Sequence, residues 1–414
     1  MKLKLIHFNT QGVANEARLQ ELEYALGKIE YDIVGISETK REGEKIIKTS
    51  NGNIWFYFGC TKGYRGVGFY INKKVTNKIS EMKGISERIA FLKVQINKKT
   101  KLLIIQVYAP TLEAPKDEIK EFYNTLENTL MKEQERYNII MGDFNAKIGN
   151  DQTLSGCTGP HTLNDTNRNG QRLGKFCMKH NLKIANTYFN EDKTDKWTWK
   201  SPNGKTKNEI DHLITNDIRT ITNYKVVPDL AFSSDHRPAI SNVSIPIGPQ
   251  VAPTPLQNAK GNISNLWIPV HKQEEAKANL KNKLEEVNWG NSLSDNLDSA
   301  YEKFLKIIVD TLTLFGIDKK HIKTDDKLCS ETKGLIERRK VLRDKVCLSI
   351  HDQIELVELK KLIKRKIRED IRNFEEAVMT EIIEETWSTR KTKKVLTGGQ
   401  CLSLIHISEP TRPY

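Results

Sequence analysis

Tyr137-Asn138-Ile139-Ile140-Met141-Gly142-Asp143-Phe144-Asn145 opens on a short apolar run and ends on a glycine, an acid and an amide. A run of strand length that stops at such a cluster brings polar side chains to the rim of a packed sheet, where loops on a rigid scaffold usually carry chemistry. The pattern recurs through the first 245 residues. Residues 3–8 run into Asn9, 32–37 into Glu38, and 102–107 into Tyr108-Ala109-Pro110. Later, Ile210-Asp211-His212 opens one strand-like run and Ser233-Ser234-Asp235-His236-Arg237-Pro238 precedes the last, 239–245. Further runs rich in β-branched and aromatic residues fall at 54–59, 66–71, 89–96, 182–186 and 224–227. Helical patterns fall at 16–29, 116–134 and 170–180, with Leu19, Leu22, Leu26 and Ile29 sharing one face. So many strands among so few helices do not suit a strictly alternating Rossmann sheet. The pattern predicts an α/β architecture of two packed mixed sheets with helices outside.

The chain has 414 residues, long enough for two or three domains. Pro246, Gly248, Pro249, Pro253, Pro255 and Gly261 mark a Pro/Gly-rich linker over 247–264. Beyond it, 266–315 is mostly helical in pattern. From Leu335 to Trp387 one amphipathic stretch predicts a single long helix, of about 75–80 Å at 1.5 Å per residue. Between Glu331 and Lys394 stand 17 Lys and Arg against 13 Asp and Glu, the balance of a solvated hairpin or coiled coil, with self-association through it an option. The last residues, 401–414, follow no period and resemble translated sequencing adapter. The reading frame is therefore expected to run on past about Gln400.

Lys and Arg number 66 against 53 Asp and Glu, a net charge of +13 that favours a polyanionic partner. No apolar run reaches membrane-spanning length, and the N-terminus alternates polar and apolar like a strand, so no membrane partner is expected. Cys60, Cys157, Cys177, Cys329, Cys347 and Cys401 include no CxxC pair and read as the reduced thiols of an intracellular protein.

Glu38, Asp143 and Asp235 offer hard oxygens, and Asn9 and Asn145 neutral ones, a donor set suited to magnesium beside phosphate oxygens. His236 can pair with Asp211, which would fix its tautomer and favour its cation. Oriented donors and a cation are what phosphoryl chemistry asks for. Each cluster alone has a plainer reading as a turn or cap; their order and their place at strand ends shift the balance.

Asn9, Glu38, Tyr108-Ala109-Pro110, Gly142-Asp143-Phe144-Asn145, Ile210-Asp211 and Ser234-Asp235-His236 resemble the successive motifs of the endonuclease/exonuclease/phosphatase superfamily, over about residues 1–246. The resemblance implies a four-layer sandwich and a Mg2+-dependent (alternatively Mn2+-dependent) phosphodiesterase or phosphatase. It implies Glu38 as principal metal ligand, assisted by Asn9 and Asp235. Asp143 would activate or orient the attacking water, and Asn145 and Tyr108 would contact the phosphate. His236, paired with Asp211, would stabilise the transition state. Gly159-Pro160-His161, Asn167-Arg168-Asn169-Gly170-Gln171-Arg172-Leu173 and Trp197-Thr198-Trp199-Lys200 narrow the likeness. They are similar to the apurinic-type endonuclease domain of non-LTR retrotransposons of the RTE/BovB-like clade, and to the craniofacial development protein 2-like group.

That likeness implies nicking of DNA to leave a 3′-hydroxyl, which a reverse transcriptase domain in a longer chain would extend after a helical connector spanning 265–400. A nuclear location follows from the substrate. Arg172, Asn167, Asn169, Arg65 and Trp199 are candidate DNA contacts, with capping and core packing as their plainer roles. His161 and His212 lack a partner at ligand spacing and are left out of the metal site. The alternatives are a cellular abasic-site repair endonuclease, a phosphatase of inositol phosphates or sphingomyelin, and a domesticated nucleic-acid-binding protein without catalysis.

Overall fold

A computed structural model describes residues 1–246 apart from 193 and 229, residues 327–384 apart from 346 and 347, and short pieces between 266 and 318. The chain divides into two units, Met1–Ile247 with Asp326–Tyr414, and Gly248–Asp325. The expected linker at 247–264 and the adapter-like tail at 401–414 lie outside the described residues apart from their flanks.

In the first unit, one sheet holds β1 (Lys2–Asn9), β2 (Ile33–Ser37), β3 (Gly43–Lys48), β4 (Ile54–Gly59), β5 (Val67–Ile71), β14 (Ile221–Val226) and β15 (Ala239–Ser244). Their order in space is β14-β15-β1-β2-β5-β4-β3. The other holds β6 (Ile79–Ser86), β7 (Ile89–Gln95), β8 (Lys101–Tyr108), β9 (Tyr137–Asp143), β10 (Lys183–Ile184) and β13 (Asp211–Thr215), ordered β10-β13-β9-β8-β7-β6. Only β1–β2 and β8–β9 are parallel pairs, so both sheets are mixed. A small hairpin, β11 (Trp199–Lys200) and β12 (Lys207–Asn208), stands apart from both.

Side chains alternate across each strand, and in the central strands both faces are buried. In β8, Leu102 and Ile104 join the core between the sheets with Phe56, Phe69 and Met141. Leu103, Ile105 and Val107 point the other way, against Phe122 and Leu126 of α2 (Lys116–Glu133) and Leu173 of α3 (Arg168–Lys179). In β1, Leu3 and Leu5 face the inner core. Ile6 and Phe8 pack outward on Leu19, Leu22 and Leu26 of α1 (Glu16–Leu26). The result is helix, sheet, sheet, helix: the four-layer α/β sandwich that the motifs imply.

Within the two large sheets, β3 and β6 are not apparent from the sequence, and neither are the two-residue strands β11, β12, Leu266–Trp267 and Ile317–Asp318 outside them. β3 and β6 close one edge of each sheet, and the charges that blunt an edge strand also hide its period. Conversely, 182–186 contributes only the two residues of β10 before a 3-10 turn at Ala185–Tyr188.

The long helix expected from Leu335 to Trp387 is two helices. α5 (Ser330–Arg343) and α6 (Ile350–Glu384) run antiparallel, as Arg338 pairs with Glu355 and Lys366 with Glu331. The apolar period continues through the break, but local capping overrides it. Ser349 Oγ accepts from Asp352 N at 3.1 Å while Asp352 Oδ2 accepts from Ser349 N at 3.0 Å, a reciprocal box that starts a new helix. Ile336 and Leu342 of α5 and Leu359, Ile363 and Ile367 of α6 bury against Ala17 of α1 and Ala231. The hairpin therefore has one face on the sandwich rather than being solvated all round.

In the second unit the described residues include α4 (Gln273–Glu285) and an antiparallel pair, β16 (Leu266–Trp267) with β17 (Ile317–Asp318). The rest of the helical pattern at 266–315 lies largely outside the described residues. Among the described residues no helix is long and apolar enough to cross a membrane.

Candidate active site

Strand direction explains why separated motifs meet. β1 and β2 are parallel with Asn9 opposite Ser37, so Asn9 and Glu38 leave the first sheet together. β8 and β9 are parallel with Tyr108 opposite Asp143. β13 starts antiparallel beside β9 with Asp211 opposite Asp143, and β15 starts beside the end of β1 with Ala239 opposite His7. Parallel strands ending and antiparallel strands beginning thus share one rim.

The turns at this rim are tight. Gly142 has φ +137°, and a Cβ there would meet the Val107 carbonyl oxygen at 2.2 Å, so the position requires glycine. Glu38 and Asn145 hold left-handed backbones at φ 56° and 48°, an uncommon conformation for such residues that clusters at functional sites.

Asn9 bridges two acids: its Nδ2 donates to Glu38 Oε1 at 3.0 Å and to Asp143 Oδ2 at 2.9 Å. The second Glu38 oxygen lies 3.1 Å from Lys40 Nζ. Asp143 Oδ1 accepts the Asn145 backbone N–H at 2.9 Å. His236 Nδ1 lies 2.8 Å from Asp211 Oδ2, and its Nε2 lies 3.8 Å from Asp143 Oδ2 and 4.0 Å from Asp235 Oδ1. Thr198 Oγ1 accepts the N–H groups of Ile210 and Asp211, fixing the start of β13. Trp199 forms a single antiparallel bridge with His236, and its Nε1 donates to Asp235 Oδ2 at 3.2 Å.

The electrostatics follow from crowding without water. Burial raises the Asp143 carboxyl, and the Asp211 charge raises it further; His236 and the donors from Asn9 and Asn145 oppose this only in part. Burial alone would make His236 less basic, but Asp211, then Asp143 and Asp235, outweigh it and hold the ring as a cation. Burial also works against the Asp211 charge, and the imidazolium more than offsets it. Burial raises Asp235. Burial, then the charges of Glu38 and Asp143, makes the Tyr108 phenol a weaker acid, so it stays a neutral donor.

Among the described residues, Asp143, Asp211 and His236 form a group whose ligand atoms lie within 4.8 Å of one another. Asp211 and His236 already satisfy each other, so that trio is better described as a hydrogen-bonded dyad facing an acid. The carboxylates of Glu38 and Asp235 suit a hard cation better; Asn9, expected to assist them, turns its Nδ2 toward the acids while its Oδ1 accepts the Gln11 backbone N–H at 3.0 Å. Asp235 Oδ1 is buried with no hydrogen-bond partner, and an ammonium and an amide N–H crowd onto Glu38.

The candidate DNA contacts divide. Arg65 lines a cleft of about 430 Å³ with Glu38, Lys40, Tyr64, Arg88 and Tyr108, beside the site and ion-paired to Glu87 and Glu118. Trp199 is at the site itself. Asn169 is buried, donates to the carbonyls of Pro110 and Asn145, and accepts from Arg172 Nη1 at 2.7 Å. Asn169 and Arg172 thus support the Asn145 loop. Asn167 caps α3, its oxygen accepting from Gly170 N and Lys147 N. His212 is a core histidine with both ring nitrogens engaged, by Ala146 O and Asn186.

The pattern of the endonuclease/exonuclease/phosphatase family matches residues 6–236, more than half of the chain. The chain belongs to that family. Proteins of related sequence include the craniofacial development protein 2 of Tragulus javanicus, 32% identical over 227 residues, covering 54% of this chain and 39% of that one. The craniofacial development protein 2 of Bos taurus is 28% identical over 290 residues, covering 68% and 48%. The chain therefore spans less than half the length of the curated relatives it matches. Among solved structures, it is similar to the endonuclease domain of TRAS1, a telomere-specific non-LTR retrotransposon. The identity is 14% and the TM-score 0.42, over 59% of this chain and 99% of that one.

The site also contains residues that sequence reading missed. Arg88 lines the cleft and donates to the Tyr108 carbonyl at 3.0 Å. Arg339 and Arg343 reach the 231–234 segment from α5. Their signal was present: Ile336, Arg339 and Arg343 follow helical spacing, which puts two arginines on an apolar face.

Proposed function

We propose that this chain is a Mg2+-dependent DNA endonuclease, with Mn2+ as a substitute ion, that hydrolyses a phosphodiester to leave a 3′-hydroxyl. The observation that carries the reading is the buried Asp211–His236 pair facing Asp143, itself linked through Asn9 to Glu38. Glu38 and Asp235 are the residues that would hold the ion, and Asn9 would join them once its amide turns its oxygen from the Gln11 N–H toward the acids. When bound, such an ion polarises the phosphoryl group and shields the departing oxyanion. Asp143, whose proton affinity burial raises, orients the attacking water and accepts its proton. The cationic His236 presents Nε2–H to a non-bridging phosphate oxygen, with Asp211 fixing its tautomer. The Asn145 amide donates one N–H to the Ala109 carbonyl at 2.9 Å and keeps a second for phosphate, joined by the Tyr108 hydroxyl. Water oxygen bonds to phosphorus as the P–O3′ bond breaks, and the released O3′ takes a proton from solvent to become the 3′-hydroxyl.

The surplus of 13 positive charges supports a polyanionic substrate, and Arg65 in the cleft is placed to meet its backbone. The segments around Asn167–Arg172 and Trp197–Lys200 support a retroelement setting, in which a polymerase domain of a longer protein extends the 3′-hydroxyl in the nucleus. The test uses the full chain on supercoiled plasmid and on an abasic duplex, with Mg2+ or EDTA. Metal-dependent nicking of intact plasmid whose ends a polymerase can extend is expected. Cleavage confined to the abasic duplex would favour a repair enzyme instead. Wild-type rates in Asp143→Ala or His236→Ala would overturn the assignment.

A further inference from the structure

The segment that leads into Asp235 and His236 is buried yet has no ladder of its own, and its carbonyls are held by three arginines. Ala231, Phe232 and Ser234 are buried, and 230–236 lies in no helix or named strand. Arg343 spans the segment, Nη1 donating to the Phe232 carbonyl and Nη2 to the Ser234 carbonyl at 2.7 Å. Arg18 Nη2 donates to the carbonyl between them, Ser233, at 2.9 Å, and its guanidinium lies 3.9 Å from the centre of the Phe232 ring. Arg339 Nη2 approaches the Ala231 carbonyl at 3.4 Å and forms a buried ion pair with Glu21 Oε1 at 2.6 Å. Glu21 Oε2 in turn takes Arg18 Nη1 at 2.7 Å. Four successive carbonyls thus receive guanidinium N–H groups, and two of the three arginines come from α5.

From the held segment the connection to the site is short. Ser234 Oγ donates to the Asn9 carbonyl at 2.7 Å and accepts the His236 backbone N–H at 3.1 Å. The family match ends at residue 236, so α5 lies beyond the matched residues.

We propose that the helical hairpin is a working part of the nuclease, with Arg343, supported by Arg339, as a positioning residue that fixes the 231–234 backbone and through it Asp235 and His236. Buried backbone carbonyls need partners, and a loop without a ladder must find them in side chains. The planar fork of arginine reaches two carbonyls at once, which a lysine ammonium on a flexible stem does not reproduce. A small displacement of His236 is enough to slow the chemistry without weakening substrate binding. The proposal rests on the nuclease reading for its kinetic consequence but not for its structural one.

The test compares Arg343→Ala, Arg343→Lys and, as a control, Arg338→Ala in the full chain. Arg338 pairs with Glu355 inside the hairpin. Plasmid nicking under Mg2+ is expected to show kcat lowered about 10- to 100-fold in Arg343→Ala with KM little changed. Arg343→Lys should fall between, and Arg338→Ala should match wild type. Hydrogen exchange of the 230–238 peptide should quicken in Arg343→Ala while the 137–143 peptide of β9 stays protected. Unchanged exchange at 230–238, or equal loosening of β9, would overturn the brace. If wild type does not nick at all, the functional reading fails, and the exchange comparison still decides the brace. If the alanine variant does not fold, the lysine variant decides it by the same two measurements.

Discussion

His236 Nδ1 sits 2.8 Å from Asp211 Oδ2 with both side chains closed to solvent. The contact leaves Nε2 as the ring atom directed at Asp143, and the Asp211 charge offsets the cost of a buried imidazolium. Asp211→Asn keeps the size of the side chain but removes that charge and permits the wrong tautomer. The nicking rate is expected to fall about 100-fold or more with the fold intact. Plasmid nicking beside a circular-dichroism melt checks both halves.

On the proposed function, Trp199 would act on the metal ligands through Asp235. Its indole N–H holds one carboxylate oxygen, and the other is buried with no hydrogen bond, 4.0 Å from His236 Nε2, where a bound ion would find it. Trp199→Phe keeps the ring and removes the donor. Loss of such an outer partner typically costs about 10–100-fold in metal affinity or activity. Mg2+ titrations of the nicking rate should therefore show half-activation moved to higher Mg2+, with EDTA abolishing activity in wild type and variant alike.

How much of this could be read from sequence depends on where each feature is encoded. β8 and β9 are buried on both faces and appear as nearly continuous apolar runs, β1 alternates polar and apolar over its first half, and the polar ends of all three mark the rim at Asn9, Tyr108 and Asp143. β3 and β6 carry charge at sheet edges and blur into loops. The break before α6 had a local signal in Ser349 and Asp352, which the uninterrupted apolar period masked. Asn167 and Asn169 stand out in sequence, but whether an amide caps a helix or meets a ligand is decided by what the fold places opposite it. Arg339 and Arg343 were hidden because arginines on a charged helix read as its wet side.

His7 and His212 make acid stability a direct test of the interior. Both are fully buried, and burial lowers each from the ordinary 6.5 to about 4. The unfolded chain therefore binds more protons than the native one between these values. The contribution of these two rings is full above about pH 6.5 and is lost as the pH falls toward 4, at up to about 3 kcal/mol for each histidine. Burial raises Glu23 and Asp143 to about 7 and Glu209 to about 8, which adds stability as the pH falls through the same range. The histidine share is therefore read as a difference: from pH 7 to pH 4.5 the urea midpoint of His7→Leu should rise relative to wild type, and a gap independent of pH would contradict the burial of His7.

Gly142 links the sandwich to its rim. Its φ of +137° turns β9 so that Asp143 meets Asn9 and Asp211, and the strand beside it leaves no room, with the Val107 carbonyl 2.2 Å from where a Cβ would stand. Gly142→Ala must strain the backbone or push β8 away, and either change moves Tyr108 relative to Asp143, its partner in register. Destabilisation of about 3 kcal/mol or more is expected, together with loss of nicking beyond what reduced folding explains. Gly43→Ala offers a comparison, since it shares a positive φ, +81°, but meets nothing within 4 Å. It should cost only the backbone strain and leave the nicking rate of the folded protein unchanged. Chemical denaturation of both variants, with activity normalised to the folded fraction, separates the steric cost from the strain.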